Sequence, residues 1–134
     1  MQHMVQTGDE KMKYSHKLLA GLAGIAALGM AGPALAHARL TASNPANNAV
    51  VSTAPRAITL TFNERVVPAF TKVELTMPEH GSMAVPVRVN VADDGKTVTA
   101  APQSKLGKGA YRIVWTAASA DGHKMNGNVN FKIG

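Results

Sequence analysis

The chain has 134 residues and a formal net charge of +6, and this length accommodates one small domain. It contains no cysteine, which excludes disulfide bonds and every metal site that needs a thiolate ligand, blue copper included. The basic residues are dispersed and there is a single tryptophan, so the positive charge does not indicate nucleic acid as a partner.

The first part of the chain has the features of a secretory signal peptide. Three lysines precede the uncharged run 18–30, which is shorter than the roughly 20 residues that a membrane span needs. A Gly-Pro pair follows, and Ala34 and Ala36 supply the small residues that a signal peptidase requires. We therefore expect a signal peptide at 1–36, cleavage after Ala36, and an exported domain at 37–134.

Three alternatives concern this first segment. Ala36-His37-Ala38 is also an A-x-A sequence, so a cut after Ala38 would remove His37. Residues 1–11 resemble an over-extended start, because two acidic residues are unusual in a basic leader. A helix buried in the domain would explain the apolar run, but the Gly and Ala content and the missing polar face count against it.

Alternating apolar residues dominate the rest of the chain and predict strands with one buried face. The intervening segments are rich in Pro, Gly, Asn and Asp, which are typical of turns. With Leu40 on a first strand and Val98 on a short one, we expect about seven strands and no helix. The fold predicted is all-β, an immunoglobulin-like Greek-key β-barrel or sandwich. The residues predicted to face the core are Ile58, Leu60, Phe62, Val73, Leu75, Met77, Val85, Val87, Val89, Val91, Tyr111, Ile113, Trp115, Ala117, Val129, Phe131 and Ile133.

The turn segment TMPEHGSM contains two methionines and a histidine, Met77, His80 and Met83. Thioethers are soft ligands that select Cu(I), and imidazole also binds copper. Methionine fills core gaps as well, and Met77 continues the buried alternation of its strand. The segment therefore predicts at most a weak Cu(I) site.

The segment SADGHKMNG near the end of the chain places Asp121 two residues before His123. At the end of a strand this spacing lets both side chains point the same way and share one ion, although a plain Asp-Gly turn is the alternative. Cleavage after Ala36 would give His37 a free α-amine beside its imidazole, and the two nitrogens can chelate one metal ion. With Asp121 and His123 this makes three nitrogens and one oxygen, a set that suits Cu(II).

Two further features of this segment carry no separate function. Ser119, Asp121 and His123 are crowded into one turn, which does not provide the separate nucleophile, base and orienting roles of a hydrolase. We assign Met125 to packing.

The chain resembles the CopC family of periplasmic copper-binding, copper-resistance proteins over essentially all of residues 37–134. The family pattern Tyr-x-Val-x-Trp followed by Asp-x-His falls on Tyr111, Trp115, Asp121 and His123. The other matching pieces are HARLTASNPANNAVV, ITLTFNERV, MPEHGSMAV and NGNVNFKI.

The resemblance implies a Greek-key β-barrel that binds Cu(II) through the N-terminal histidine, an aspartate and a second histidine, here His37, Asp121 and His123. It also implies that Glu64 supports these ligands through hydrogen bonds. Some members hold Cu(I) in a methionine-rich loop, which here is shorter and has fewer methionines.

The resulting hypothesis is a periplasmic carrier, not an enzyme, that binds Cu(II) and passes or sequesters copper together with an inner-membrane copper transporter. We expect no nucleic acid partner and no insertion of the mature protein into the membrane. One rival is a histidine-brace copper mono-oxygenase, which needs an open coordination position that Asp121 would occupy. The other rival is a metal-free β-sandwich used for adhesion or assembly.

Overall fold

The computed structural model describes residues 37–134, and the predicted signal peptide at 1–36 lies outside the described residues. Within the described part, no helix has the length and hydropathy needed to cross a membrane. The two short 3-10 turns are Pro68–Phe70 and Pro78–His80. The strands are β1 Leu40–Asn44, β2 Ala49–Val51, β3 Ile58–Phe62, β4 Lys72–Met77, β5 Met83–Val85, β6 Val87–Val91, β7 Thr97–Pro102, β8 Gly109–Ala118 and β9 Lys124–Ile133.

These strands form two sheets that pack face to face. One sheet has four strands in the order β1-β3-β7-β6, and the other has five in the order β2-β9-β8-β4-β5. All pairs are antiparallel except β2 with β9. The all-β prediction is confirmed as a sandwich, and the two sheets do not join into a closed barrel.

The core lies between the sheets and includes the alternating residues that the sequence singles out, with one exception. The prediction for Val89 on β6 is wrong, because this side chain is exposed. On β3, Ile58, Leu60 and Phe62 are buried while the threonines between them are half-buried. Every second residue of β8 is buried from Tyr111 to Ala117, as the alternation predicts. A fully buried Leu or Ile side chain contributes about 1.5–3 kcal/mol, so core packing is the main stabilising force in a domain without disulfide bonds.

The strand count differs from the prediction, since residues 37–134 form nine strands instead of about seven. The run from Val85 to Val91 is not one strand. Pro86 has no N–H to donate to a sheet, and at this residue the chain passes from β5, which pairs with β4, to β6, which pairs with β7 in the other sheet. The second extra strand is β2, three residues at the edge of its sheet.

The long strand β8 defines the two ends of the sandwich. Its ten residues rise about 3.3 Å each, so its ends are roughly 30 Å apart. The turn at residues 119–123, which joins β8 to β9, lies at one end. The methyl group of Met77 lies against Gly109 at the other end.

Candidate metal centre

The turn between β8 and β9 is a short hairpin loop closed by backbone hydrogen bonds. The amide of Ser119 donates to the carbonyl oxygen of His123 at 3.1 Å, and the amide of Gly122 donates to the carbonyl oxygen of Ser119 at 2.9 Å. Gly122 has φ of 87°, a backbone conformation that residues with a side chain rarely adopt. A turn followed by a left-handed glycine is a common three-residue hairpin, and it places Asp121 and His123 on either side of that glycine.

Hydrogen bonds hold the carboxylate of Asp121 within this turn. Its Oδ1 atom accepts from the hydroxyl of Ser119 and from the backbone amide of His123, the latter at 3.2 Å. Its Oδ2 atom lies 2.7 Å from Nδ1 of His123. The Ser119 hydroxyl, followed by the amide and the imidazole of His123, lowers the pKa of Asp121 well below its usual value of 3.8. The group is therefore an anionic carboxylate at neutral pH.

The same contact orients the imidazole of His123. A hydrogen bond donated by Nδ1 to the carboxylate leaves the lone pair on Nε2, which is the usual arrangement for a histidine that binds a metal. The imidazole side chain is 60% exposed, whereas that of Asp121 is 20% exposed. The pair is thus a shielded anion with an open imidazole beside it.

His37 reaches this turn because the residues that follow it are anchored. Ala38 is completely buried in the core. The amide of Arg39 donates to Oδ1 of Asn63 at 2.6 Å, and the amide of Asn63 donates back to the carbonyl oxygen of Arg39 at 3.1 Å. These contacts hold the exposed side chain of His37 beside that of His123, with the ring centroids 4.4 Å apart.

The structure brings together the three residues that were predicted to form the Cu(II) site. One ligand atom each from His37, Asp121 and His123 lies within 4.8 Å of the others. Nitrogen and oxygen ligands bind ions such as Zn²⁺ at about 2.0–2.2 Å, so opposite ligand atoms in a closed site are about 4 Å apart. Small side-chain rotations are therefore enough for the three groups to close on one ion.

Among residues 37–134, Glu64 does not contact the three candidate ligands through hydrogen bonds. It lies exposed in the segment after β3. Its supporting role stays a prediction.

Sequence reasoning did not assign a role to the two residues that position the ligands, Ser119 and Asn63. Ser119 is buried, and its spacing of two residues from Asp121 within a turn is a recognisable pattern for a hydroxyl–carboxylate hydrogen bond. Asn63 contacts Arg39 just beyond the last β1–β3 pair, Leu40 with Phe62, and no local pattern reveals this contact.

The candidate Cu(I) residues lie at the opposite end of the sandwich. Met77 and Met83 are directly opposite one another on β4 and β5, so they share one face of the sheet. His80 is exposed in the 3-10 turn between them. Met77 packs against the core while Met83 is 55% exposed. Met125 also packs against the core, which confirms its assignment to packing.

Comparison with known proteins points to one family. The sequence model of the CopC domain matches residues 40–134. The chain is 39% identical to Copper resistance protein C of Pseudomonas syringae pv. tomato and 35% identical to that of Xanthomonas campestris pv. juglandis. Each match spans 105 residues, 75% of this chain and 82% of the relative. The crystal structure of PcoC, a methionine-rich copper resistance protein from Escherichia coli, superposes with a TM-score of 0.68 at 34% identity, covering 74% of this chain and all of PcoC.

Proposed function

The chain belongs to the CopC domain family, and we propose that it is a periplasmic protein that binds Cu(II) and carries or sequesters copper in copper resistance. The relatives named above are copper resistance proteins and are not named as enzymes, which supports a binding role. The observation that carries the proposal is the convergence of His37, Asp121 and His123 at one end of the sandwich.

The proposed Cu(II) site uses the carboxylate of Asp121, the Nε2 atom of His123 and the imidazole of His37. Two imidazoles and one carboxylate are hard or borderline ligands, which suit Cu(II) better than Cu(I). The carboxylate of Asp121 is ionised at neutral pH, so no proton has to leave it when copper binds, and its lowered pKa keeps it ionised at more acidic pH as well.

The fourth ligand that we propose is the α-amine of His37, released when a signal peptidase cuts after Ala36. An amine of pKa about 7.7–8.0 binds copper once it has lost one proton. An amide nitrogen at the same place is not basic, so any residue left in front of His37 removes this ligand. We further propose that export delivers the protein to the periplasm, where an inner-membrane copper transporter exchanges copper with it.

The test is a comparison of two proteins, one that begins at His37 and one with a single added Ala in front of it. Each is titrated with Cu(II) against a competing chelator, with the emission of the only tryptophan as a second readout. The protein that begins at His37 should bind one Cu(II) far more tightly. Equal affinities would show that the amine is not a ligand.

A second pair of variants separates the proposed site from the rest of the surface. His123→Ala should abolish tight Cu(II) binding, whereas His80→Ala, which removes another exposed histidine at the far end, should leave it unchanged. The circular dichroism spectra of both should match that of the parent, because neither residue belongs to the core. Retained tight binding in His123→Ala would contradict the proposed site.

We also propose a low-affinity Cu(I) site at the other end of the sandwich, formed by Met77, His80 and Met83. The cross-strand pairing of Met77 and Met83 places two thioethers on one face beside an exposed imidazole. Three ligands without a thiolate make a weak site, and part of Met77 is engaged with the core.

A further inference from the structure

A groove lies at the end of the sandwich opposite the candidate metal centre. Two segments line it, residues 52–56 before β3 and residues 102–108 before β8, and together with Ile133 they enclose a cavity of about 790 Å³. The apolar part of its lining includes Leu106 and Ile133, both buried. We call this feature the basic groove.

The charged residues that line the basic groove are all cations. Arg56, Lys105 and Lys108 line the cavity itself, and Arg88 lines a smaller depression that shares Pro102 and Gln103 with it. No aspartate or glutamate lines either one. All four cations are exposed, and in the part of the chain that the structure describes none of them makes a side-chain hydrogen bond or an ion pair.

Three of the cations elsewhere in the domain are engaged. Arg65 donates to the carbonyl oxygen of Asp94 at 3.0 Å, and Arg112 donates to Oδ1 of Asn130 at 3.0 Å. The ammonium group of Lys124 lies over the ring of Phe70. Among the described residues, four other cations likewise make no side-chain hydrogen bond or ion pair, namely Arg39, Lys72, Lys96 and Lys132. The four cations of the basic groove differ in that they surround one concavity, where low-dielectric walls focus the field on whatever enters.

We infer that the basic groove binds an acidic peptide segment of a partner protein. The groove is concave and has apolar residues at its base, which suits a chain with both carboxylates and an aliphatic side chain. Ser52, Thr53 and Ser104 also line the cavity, and their hydroxyl groups can pair with peptide groups. No aromatic residue lines the groove, so the stacking that single-stranded nucleic acid requires is missing. A flat bilayer surface would not reach the base of the groove.

This surface does not depend on the copper proposal, because it involves none of the candidate copper ligands. It adjoins the segment that carries Met77, since Lys108 precedes Gly109, against which the Met77 methyl group lies. A partner held in the basic groove would therefore be close to that segment and roughly 30 Å from the turn at residues 119–123.

The experiment uses the whole domain and a fluorescein-labelled acidic peptide, acetyl-EDLEDE-amide, with binding followed by fluorescence anisotropy. The matched variants are Lys105→Glu with Lys108→Glu in the groove, and Lys72→Glu with Lys96→Glu elsewhere on the exposed surface. Both pairs change the net charge equally. The groove pair should weaken binding about tenfold or more, and the control pair less than about twofold. Binding should also weaken as salt is raised from 50 to 200 mM, because the attraction is between exposed charges.

Mapping by amide NMR supplies the second readout. Addition of the peptide should shift the amides of residues 52–56 and 102–108 and leave those of residues 119–123 in place. Equal weakening by both variant pairs would show that the peptide responds only to net charge, and the inference would be wrong. It would be wrong as well if the domain bound phosphatidylglycerol vesicles but not the peptide, or bound neither.

Discussion

Gly127→Ala tests the packing of the sandwich most sharply. Gly127 lies on β9 directly opposite Trp115 on β8. A Cβ atom at Gly127 would lie 2.6 Å from Cζ2 and 2.8 Å from Cε2 of the Trp115 ring. The indole is 7% exposed and packs edge-to-face on Phe62, with ring centroids 5.1 Å apart. The ring therefore has no free space into which it can retreat.

The magnitude follows from two opposing effects. Forcing a methyl group into a well-packed core costs about 1–3 kcal/mol. Replacing glycine by alanine restricts the unfolded chain, which returns about 0.4–1 kcal/mol. The net loss in the free energy of unfolding is about 1–2 kcal/mol. For a domain of this size each kcal/mol lowers Tm by about 4–8 °C, so we expect Tm to fall by roughly 4–16 °C.

The assay is thermal unfolding followed by circular dichroism and by the emission of Trp115, the only tryptophan. Gly107→Ala is the matched control, because a Cβ at Gly107 would meet nothing within 4 Å and its backbone is not left-handed. The control should keep its Tm or raise it slightly. If Gly127→Ala and Gly107→Ala unfolded at the same temperature, the close contact between Gly127 and the indole would not limit the packing.

Three further predictions concern the two ends of the domain. The hydrogen bond from the Ser119 hydroxyl is the main cause of the lowered pKa of Asp121, so this carboxylate stabilises the folded state above about pH 4 and the stabilisation is lost as pH falls toward the lowered pKa. In urea titrations without metal, Asp121→Asn should therefore show a smaller loss of stability between pH 4 and pH 2 than the parent, and parallel curves would contradict this. Met77→Leu and Met83→Leu should each weaken Cu(I) binding in competition with a Cu(I) chelator, and tight binding unaffected by both would place the soft site elsewhere. Tyr111→Phe should lower the free energy of unfolding by about 0.5–1.5 kcal/mol, because the Tyr111 hydroxyl donates to a loop carbonyl oxygen at 2.7 Å; an unchanged urea midpoint would show that water replaces this bond at no cost.

The core of this fold could be predicted because one face of each of the main strands, such as β3 and β8, is buried, and burial leaves a period of two in the sequence. The strand count could not be obtained in the same way. β2 is three residues long and Val50 at its centre is 71% exposed, so it has no alternating pattern. It is a strand because it pairs with β9, where Ala49 lies opposite Phe131. These two residues are far apart in the chain. The break at Pro86 could have been predicted from the sequence, since proline is depleted within paired strands.

In the candidate metal centre, too, local contacts could be predicted from the sequence and contacts between distant residues could not. The pairing of Asp121 with His123 could be predicted because the spacing lies within one turn. The approach of His37 depends on the burial of Ala38 and on the contact between Arg39 and Asn63. Neither contact leaves a periodic signal. The residues alone predicted that His37 joins Asp121 and His123 because of its metal-binding chemistry, but not the contacts that bring it to the turn.

The geometry of β8 sets a limit on how copper can move within this protein. The turn at residues 119–123 and the pair Met77 and Met83 are at opposite ends of the sandwich, roughly 30 Å apart. A metal ion is held by atoms about 2 Å away, so no single ion can be shared by the two ends. Copper that passed from one end to the other would have to leave the protein or pass through a partner. Because the two proposed sites share no residue and lie far beyond the 7–10 Å over which substitutions interact, we expect a change at one site to alter the copper affinity of that site alone.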